Sequence, residues 1–147
     1  MSYVPPNLTE FVQDTNWAIT SLMYSGSLAR LRDIRFVFSH AGGTVPMLVG
    51  RMTQIGVRRP QLAAKIPNGV EYELKRLYYE VANSVTVPAM AALTSVVSIS
   101  QIMFGSDYPL FPISMPAGGL SKVGLSDADQ QAIERNNAIT LLPRLKT

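Results

Sequence analysis

Residues 34–43 have the sequence Ile-Arg-Phe-Val-Phe-Ser-His-Ala-Gly-Gly, and this stretch decides the predicted fold. Its first five residues are mostly aromatic and β-branched, which is the composition of a short, buried β-strand. The strand is predicted to stop at His40, because two glycines follow and allow the backbone to turn sharply. A helix is then predicted to begin near Pro46, since proline is favoured in the first turn of a helix.

Helical patterns lie on both sides of this strand. Towards the N-terminus, apolar residues three and four positions apart predict a helix, with Asn7 as its cap, Glu10 completing a capping box and Gly26 as its terminator. Towards the C-terminus, the helix that begins near Pro46 is predicted to end at Gly56. A polar, proline-interrupted surface loop is expected over residues 57–68.

The second half of the chain continues the alternation. A short helical turn and then a strand are predicted within residues 70–81, and a helix is predicted over residues 87–97. A third buried strand is expected over residues 101–104, followed by a loop rich in proline and glycine that runs to Gly119. The last helix is predicted to begin at Ser126, a favourable N-cap residue.

The alternation of helices and strands predicts a fold class. Strands separated by helices favour parallel strands joined by crossover helices, hence an α/β fold. Three strands, however, neither close a barrel nor make a sheet of ordinary size. We therefore expect that part of the fold is missing from this chain or is supplied by another one.

Composition excludes several classes of function. The 147 residues, 47% of them hydrophobic, suit one domain with a real core. The formal net charge is only +3, and proline interrupts the densest basic group, Arg58, Arg59 and Lys65, so no nucleic-acid surface is predicted. The absence of cysteine excludes disulfides and thiolate metal sites. The longest apolar stretch, residues 85–97, is shorter than the ~20 residues of a membrane span, and we expect a cytoplasmic protein.

Two strand ends carry candidate functional residues. His40 ends the first strand and Asp107 follows the third, so parallel strands would bring both to the same edge of the sheet. Imidazole nitrogen and carboxylate oxygen both suit a metal such as zinc, and both groups can transfer protons. Two structural explanations stay open: His40 as a hydrogen-bonded structural residue, and Asp107 as an acceptor of local backbone hydrogen bonds in its turn.

Residues 36–43, Phe-Val-Phe-Ser-His-Ala-Gly-Gly, resemble a signature of the amidohydrolase-related family. Members of this family include 2-amino-3-carboxymuconate semialdehyde decarboxylase and aromatic-acid decarboxylases. Residues 77–80, 101–109 and 133–138 are also similar to family motifs, in the same order. The resemblance covers the chain from about Leu8 onward. It implies a (β/α)₈ TIM barrel, of which this chain would be a single partial domain holding about three βα units at the C-terminal end.

The resemblance also implies a function and roles for the site residues. It implies a metal-dependent hydrolase or decarboxylase that acts on small carboxylated or aromatic substrates and uses a divalent metal, usually zinc. By the family pattern, Asp107 is the metal-binding carboxylate and also exchanges a proton with the substrate. His40 lies beside the metal-bound water or the substrate, where it activates or orients it.

The departures from the family pattern concern the metal site. The family uses a His-x-His pair on its first strand and a further histidine on its fifth, whereas this sequence contains one histidine, His40. Glu80 stands where the family commonly has aspartate. Because catalytic zinc takes three protein ligands, we expect no activity from the chain alone. A missing N-terminal portion, a partner chain or a homo-oligomer would have to complete the site.

Two functions of other classes stay open. The chain could be a catalytically silent remnant that self-associates through strand edges that a full barrel would cover. It could also be a small module that binds an anion through the loop of Gly42 and Gly43 and nearby basic residues. These two glycines match neither a P-loop nor a dinucleotide fingerprint.

Overall fold

The computed structural model describes residues 4–146, and this part of the chain contains a three-stranded parallel β-sheet flanked by helices. The strands are β1 (Val37–Phe38), β2 (Tyr78–Glu80) and β3 (Ile102–Met103), in the spatial order β1-β2-β3. Val37 pairs with Tyr78, and Tyr79 pairs with Ile102, in parallel register. The predicted parallel α/β arrangement is therefore confirmed.

Helices lie before, between and after the strands. The helices are α1 (Pro6–Tyr24) and α2 (Ser27–Arg30) before β1; α3 (Val45–Arg58), α4 (Pro60–Ala63) and α5 (Val70–Leu74) between β1 and β2; and α6 (Val87–Thr94) between β2 and β3. After β3 come α7 (Ser114–Leu120), α8 (Asp127–Gln131) and α9 (Asn137–Leu141), with a π-helical turn, Ala132–Asn136, joining the last two. Short 3₁₀ turns cover His40–Gly42, Ile99–Gln101 and Pro143–Leu145.

The first helix differs from its prediction at the N-terminal end. It begins at Pro6, and no side chain caps its first turn, so the predicted Asn7 cap is wrong. Proline is suited to this position because its fixed φ matches a helix and it has no N–H that needs a partner. The predicted terminator is confirmed, since Gly26 follows the helix with a φ of 76°. Two apolar residues of its first turns, Leu8 and Phe11, are 66% and 51% exposed.

Three further boundaries differ from the sequence prediction. Helix α3 continues past Gly56, where the Arg59 N–H still donates to the carbonyl of Ile55 at 2.8 Å. An internal glycine costs a helix only about 1 kcal/mol, which tertiary packing readily offsets. The predicted loops over residues 57–68 and up to Gly119 contain the short helices α4 and α7.

Other element predictions are confirmed. A helical turn and then a strand lie within residues 70–81, as α5 and β2, and α6 occupies most of residues 87–97. Ser126 caps the last helical segment, because its Oγ accepts the N–H of Asp129 at 3.2 Å. Among the described helices, none has the combination of length and hydropathy that a membrane crossing requires.

The core lies between the sheet and the helices around it, including α1 and α2 before the first strand. Tyr79 and Ile102, on the middle strand and on β3, are almost completely buried. The predicted burial of the first strand is wrong for Ile34 and Val37, which are 50% and 47% exposed. Both β1 and β3 are edge strands of the described sheet. The C-terminal helical segment covers β3, to which Asn137 is hydrogen-bonded, whereas Ile34 and Val37 keep about half of their surface exposed.

Candidate active site

His40 lies directly after β1, in a 3₁₀ turn with an unusual backbone. His40 and Ala41 adopt positive φ angles of 53° and 57°, a region that costs a residue with a Cβ about 1–2 kcal/mol. Ala41 is buried and His40 is half-buried. Because a strained turn persists only where surrounding structure holds it, the contacts of His40 determine how its side chain is presented.

The two glycines of this turn allow it to lie close to neighbouring elements. A Cβ on Gly42 would lie 2.8 Å from the ring of Tyr79, and a Cβ on Gly43 would overlap the carbonyl oxygen of Val12. Both glycines also have positive φ angles. The two glycines therefore allow the turn to pack closely between α1 and the middle strand, β2.

Two hydrogen bonds join His40 to the end of β2, and a third joins the two residues with which it bonds, Glu80 and Ala82. The His40 N–H donates to Oε1 of Glu80 at 2.7 Å, and the Ala82 N–H donates to Oε2 of the same carboxylate, also at 2.7 Å. The ring Nδ1 of His40 lies 2.9 Å from the carbonyl oxygen of Ala82. A carbonyl oxygen can only accept, so Nδ1 carries the proton, and the neutral ring keeps an unprotonated Nε2.

Glu80 is the site residue that the sequence alone did not identify. In the sequence, Glu80 stood out only because the family commonly has aspartate at this position. Its carboxylate binds the backbone of His40, 40 positions away in the chain, and no local sequence pattern indicates such a contact. Gly105, two residues after β3, is the neighbour on which this placement depends. A Cβ at Gly105 would overlap the Glu80 carboxylate, so this glycine provides the space in which the carboxylate lies.

Asp107 lies in the turn that follows β3. Its φ is 59°, and its carbonyl oxygen accepts the N–H groups of Leu110 at 2.8 Å and Phe111 at 3.2 Å. The Asp107 carboxylate makes no hydrogen bond within residues 4–146. Asp107 thus accepts local backbone hydrogen bonds in its turn, as the structural explanation expected, but it does so through its main-chain carbonyl, and its carboxylate takes no part in these bonds.

The structure brings His40 and Asp107 to one small cavity. Both residues line a space of about 60 Å³ at the C-terminal ends of the strands, with Phe11 of α1 and Leu110 and Phe111 of the turn after β3. Aromatic and aliphatic side chains thus surround a free carboxylate and an imidazole. The space is smaller than the roughly 300–1,000 Å³ of an ordinary small-molecule pocket, so the described residues supply only part of such a site, with polar and apolar groups side by side.

A larger cavity lies away from the strand ends. It has a volume of about 640 Å³ and lies between α1 and α3, where Trp17, Tyr24, Arg51 and Arg58 contribute to its walls. No histidine, aspartate or glutamate lines it. It therefore offers none of the acid, base or metal-binding groups that the smaller cavity has.

The two site residues do not form a complete metal centre. In the part of the chain that the structure describes, no three His, Cys, Asp or Glu side chains are grouped so that they could hold a metal ion. A catalytic zinc takes three protein ligands and keeps an open position. The Asp107 carboxylate and the His40 Nε2 have the chemistry of metal donors, but they are too few.

A family model described as Amidohydrolase matches residues 13–144. The chain belongs to the amidohydrolase family. This amidohydrolase-family chain is 25% identical to 6-methylsalicylic acid decarboxylase of Penicillium expansum, over 99% of its own length and 46% of that protein. It is 29% identical to 2-amino-3-carboxymuconate-6-semialdehyde decarboxylase of Dictyostelium discoideum, over 76% of its length and 31% of that protein. The family resemblance of the sequence motifs is thus confirmed.

Solved structures of the amidohydrolase type share the fold. The apo form of Metarhizium anisopliae IDCase superimposes with a TM-score of 0.82 and 26% identity, over 94% of this chain and 41% of that chain. The dihydroxybenzoic acid decarboxylase of Polaromonas sp. JS666, with bound manganese and the inhibitor 2-nitroresorcinol, gives 0.78 and 18%, over 95% and 42%. The chain therefore spans less than half the length of these relatives.

Proposed function

We propose that this chain, as one partial barrel domain over residues 1–147, supplies part of the active site of a divalent-metal-dependent decarboxylase. Its substrates are small aromatic or otherwise carboxylated acids. The observation that carries the proposal is the shared cavity of His40 and Asp107. The named activities of the similar proteins favour decarboxylation over hydrolysis.

Each residue has a distinct role in this proposal. Asp107 is the metal-binding carboxylate, because its oxygens have no hydrogen-bonding partner within the described residues. His40 is the acid/base group, because the Ala82 carbonyl fixes its Nδ1 proton and leaves Nε2 able to take up or release a proton. In decarboxylation the bond to the carboxylate breaks, and its electron pair stays on the carbon. Nε2 of His40, after taking up a proton from solvent, then donates that proton to the carbon from which CO₂ has departed.

The remaining metal ligands come, in this proposal, from protein outside these residues. A further segment, a partner chain or a second copy could supply them, and the metal is zinc or another divalent ion. A complete site would let the metal polarise a substrate oxygen. The chain by itself would have no turnover, since two donors do not hold a catalytic metal.

The role of Asp107 can be tested by NMR with Mn²⁺ as a paramagnetic probe. His40 is the sole histidine of the sequence, so its imidazole signals need no further assignment. Mn²⁺ in excess, bound only weakly and transiently at Asp107 because the ligand set is incomplete, should broaden these signals in the wild type and leave them sharp in Asp107→Asn. Asp127→Asn, which alters an exposed carboxylate in the first turn of α8, is the matched control and should behave like the wild type. Broadening that persists in Asp107→Asn would refute the ligand assignment.

The activity itself can be tested by completing the barrel. We would co-express the chain with the part of the Penicillium expansum decarboxylase that it does not match, and isolate the assembled pair. CO₂ release from 6-methylsalicylic acid is expected from the pair and not from the chain alone. His40→Ala in the pair should keep the metal and lose turnover. An assembled, metal-loaded pair without activity on any carboxylated aromatic acid would contradict the proposal.

Of the two alternative functions, the self-associating remnant is supported by a specific observation and the anion-binding module is not. A self-associating remnant is consistent with the exposed side of β1, where Val37 is nearly half exposed. The anion-binding module gains no such support. The N–H groups of Gly42 and Gly43 donate to the carbonyls of Ser39 and His40, at 3.0 and 2.9 Å, so they are not free to bind an anion.

A further inference from the structure

The Glu80 carboxylate lies at the point where the ends of the three strands meet. It accepts one N–H from the turn after β1 and one from the chain after β2. On its third side it lies against Gly105, which is two residues after β3 and two residues before Asp107. One side chain thus contacts all three strand ends of the candidate site.

We propose that Glu80 is the positioning residue for His40, and that its carboxylate fixes the tautomer in which Nδ1 is protonated and Nε2 is free. Three hydrogen bonds join Glu80, His40 and Ala82 to one another. Glu80 holds the backbone of His40 and of Ala82, and the carbonyl of Ala82 in turn holds the His40 ring. The positioning does not depend on the proposed function; only its importance for catalysis does.

The strain of the turn explains why a charged acceptor is needed. His40 and Ala41 both lie in the left-handed region, which residues with a Cβ avoid. Hydrogen bonds to an ionised carboxylate are stronger than those between neutral groups. Two of them, both 2.7 Å long, stabilise a backbone conformation that the sequence would otherwise disfavour.

The chemistry of the acceptor also explains why a carboxylate is required. Both Glu80 oxygens accept from an N–H, so the side-chain group needs an acceptor atom at each of these two positions. In Glu80→Gln, an amide NH₂ replaces one oxygen and cannot accept, so either the His40 or the Ala82 N–H loses its partner. Loss of either bond lets the backbone of His40 or of Ala82 shift, and the Ala82 carbonyl is then no longer held against Nδ1 of the His40 ring.

The tautomer of His40 can be measured directly. We would record two-bond ¹H–¹⁵N correlations of the imidazole in the full 147-residue chain. The pH would be about 8.5, roughly two units above the ordinary histidine pKa, so that the ring is neutral. The wild type should show predominantly the form protonated on Nδ1. Glu80→Gln should show the Nε2-protonated form as the major one.

The matched control is Glu71→Gln. Glu71 is an exposed carboxylate on α5 that pairs with Lys75 at 3.4 Å, so its loss should leave the His40 spectrum unchanged. A wild type protonated on Nε2, or a Glu80→Gln spectrum identical to the wild type, would overturn the proposal. If Glu80→Gln does not fold, Glu80→Asp serves instead. Aspartate keeps the charge, but its side chain is one methylene shorter, so its oxygens lie farther from the two N–H groups. The population of His40 protonated on Nδ1 should then fall, and an unchanged population would refute the proposal.

Kinetics of the assembled pair separate this proposal from the proposed function. If the pair is active, Glu80→Gln should lower kcat by about tenfold or more and leave KM within about twofold, because Glu80 acts through His40. A changed tautomer with unchanged kcat would overturn the catalytic importance of the positioning. An inactive pair with the expected spectra would refute the decarboxylase function and leave the positioning role confirmed.

Discussion

Gly105 is the residue that gives the Glu80 carboxylate its space. In Gly105→Ala, the new Cβ would overlap this carboxylate and lie 3.1 Å from the Ala82 nitrogen. We expect a loss of about 1–3 kcal/mol in the free energy of unfolding, measured by urea denaturation, because the site has no room to adjust. Gly118→Ala is the control, since nothing lies within 4 Å of a Cβ there and alanine favours the α7 helix. A Gly105→Ala variant as stable as the wild type would mean that Glu80 lies elsewhere.

Tyr79 gives the fold a dependence on alkaline pH. Its hydroxyl donates to the carbonyl of Leu74 at 3.0 Å, and burial raises its pKa above the ordinary value of 10.0. A raised pKa in the folded state stabilises the protein fully below the unfolded-state pKa of about 10, and this contribution is lost as the pH rises further. The free energy of unfolding should therefore fall above about pH 10.

The variant Tyr79→Phe tests this assignment. It should cost about 1 kcal/mol at neutral pH through the lost hydrogen bond and make the alkaline decline shallower. Burial also raises the pKa of Tyr24, so part of the decline should remain. Tyr108→Phe, at a site that is 70% exposed, should leave the pH profile unchanged. An equally steep decline in Tyr79→Phe would show that Tyr79 ionisation does not contribute.

At the scale of elements, one buried amide joins the last helical segment to the sheet. Nδ2 of Asn137, at the start of α9, donates to the carbonyls of Ile99 and Ile102, both at 2.7 Å. Asn137→Leu keeps a similar volume but removes both donors, and we expect a loss of roughly 2–4 kcal/mol in urea denaturation. Asn136→Leu, at the exposed neighbouring position, should change stability by less than about 0.5 kcal/mol. Equal effects of the two variants would show that the amide does not hold this helix to the strand.

Local sequence signals predicted elements well where the cause of the structure is local. The Ser126 cap and the Gly26 terminator depend on a few adjacent residues, and both are confirmed. The helix through Gly56 and the π-helical turn Ala132–Asn136 depend on packing between distant segments, for which the sequence has no short pattern. The elements that were predicted wrongly or missed are therefore those whose conformation depends on tertiary contacts.

The candidate site shows the same division. The rule that functional residues follow parallel strands located His40 and Asp107, and both line one cavity. The sequence could not identify Glu80 as a partner of His40. The Glu80 carboxylate accepts hydrogen bonds from backbone N–H groups, and nearly every residue has such a group, so no residue type marks the contact. Its role depends on a left-handed turn and on the missing side chain of Gly105, and both become evident only in three dimensions.

At the scale of the whole molecule, apolar surface is left uncovered around β1 and the start of α1. Large exposed side chains in this region are Leu8, Phe11, Ile34 and Val37. Parallel sheets are normally covered, and an unpaired strand edge offers N–H and C=O groups to other chains. The chain alone should therefore self-associate in a concentration-dependent way, which sedimentation velocity can measure.

The variant Val37→Lys tests whether the open edge of β1 is the surface responsible. A lysine on an edge strand opposes the approach of a second edge, because pairing would bury its charge or bring like charges together. We expect this variant to shift sedimentation towards the monomer. Val57→Lys adds the same charge at an 81% exposed position near the end of α3 and should leave association unchanged. If both variants dissociate the chain equally, net charge rather than the strand edge governs association; if neither does, the contact surface lies away from β1.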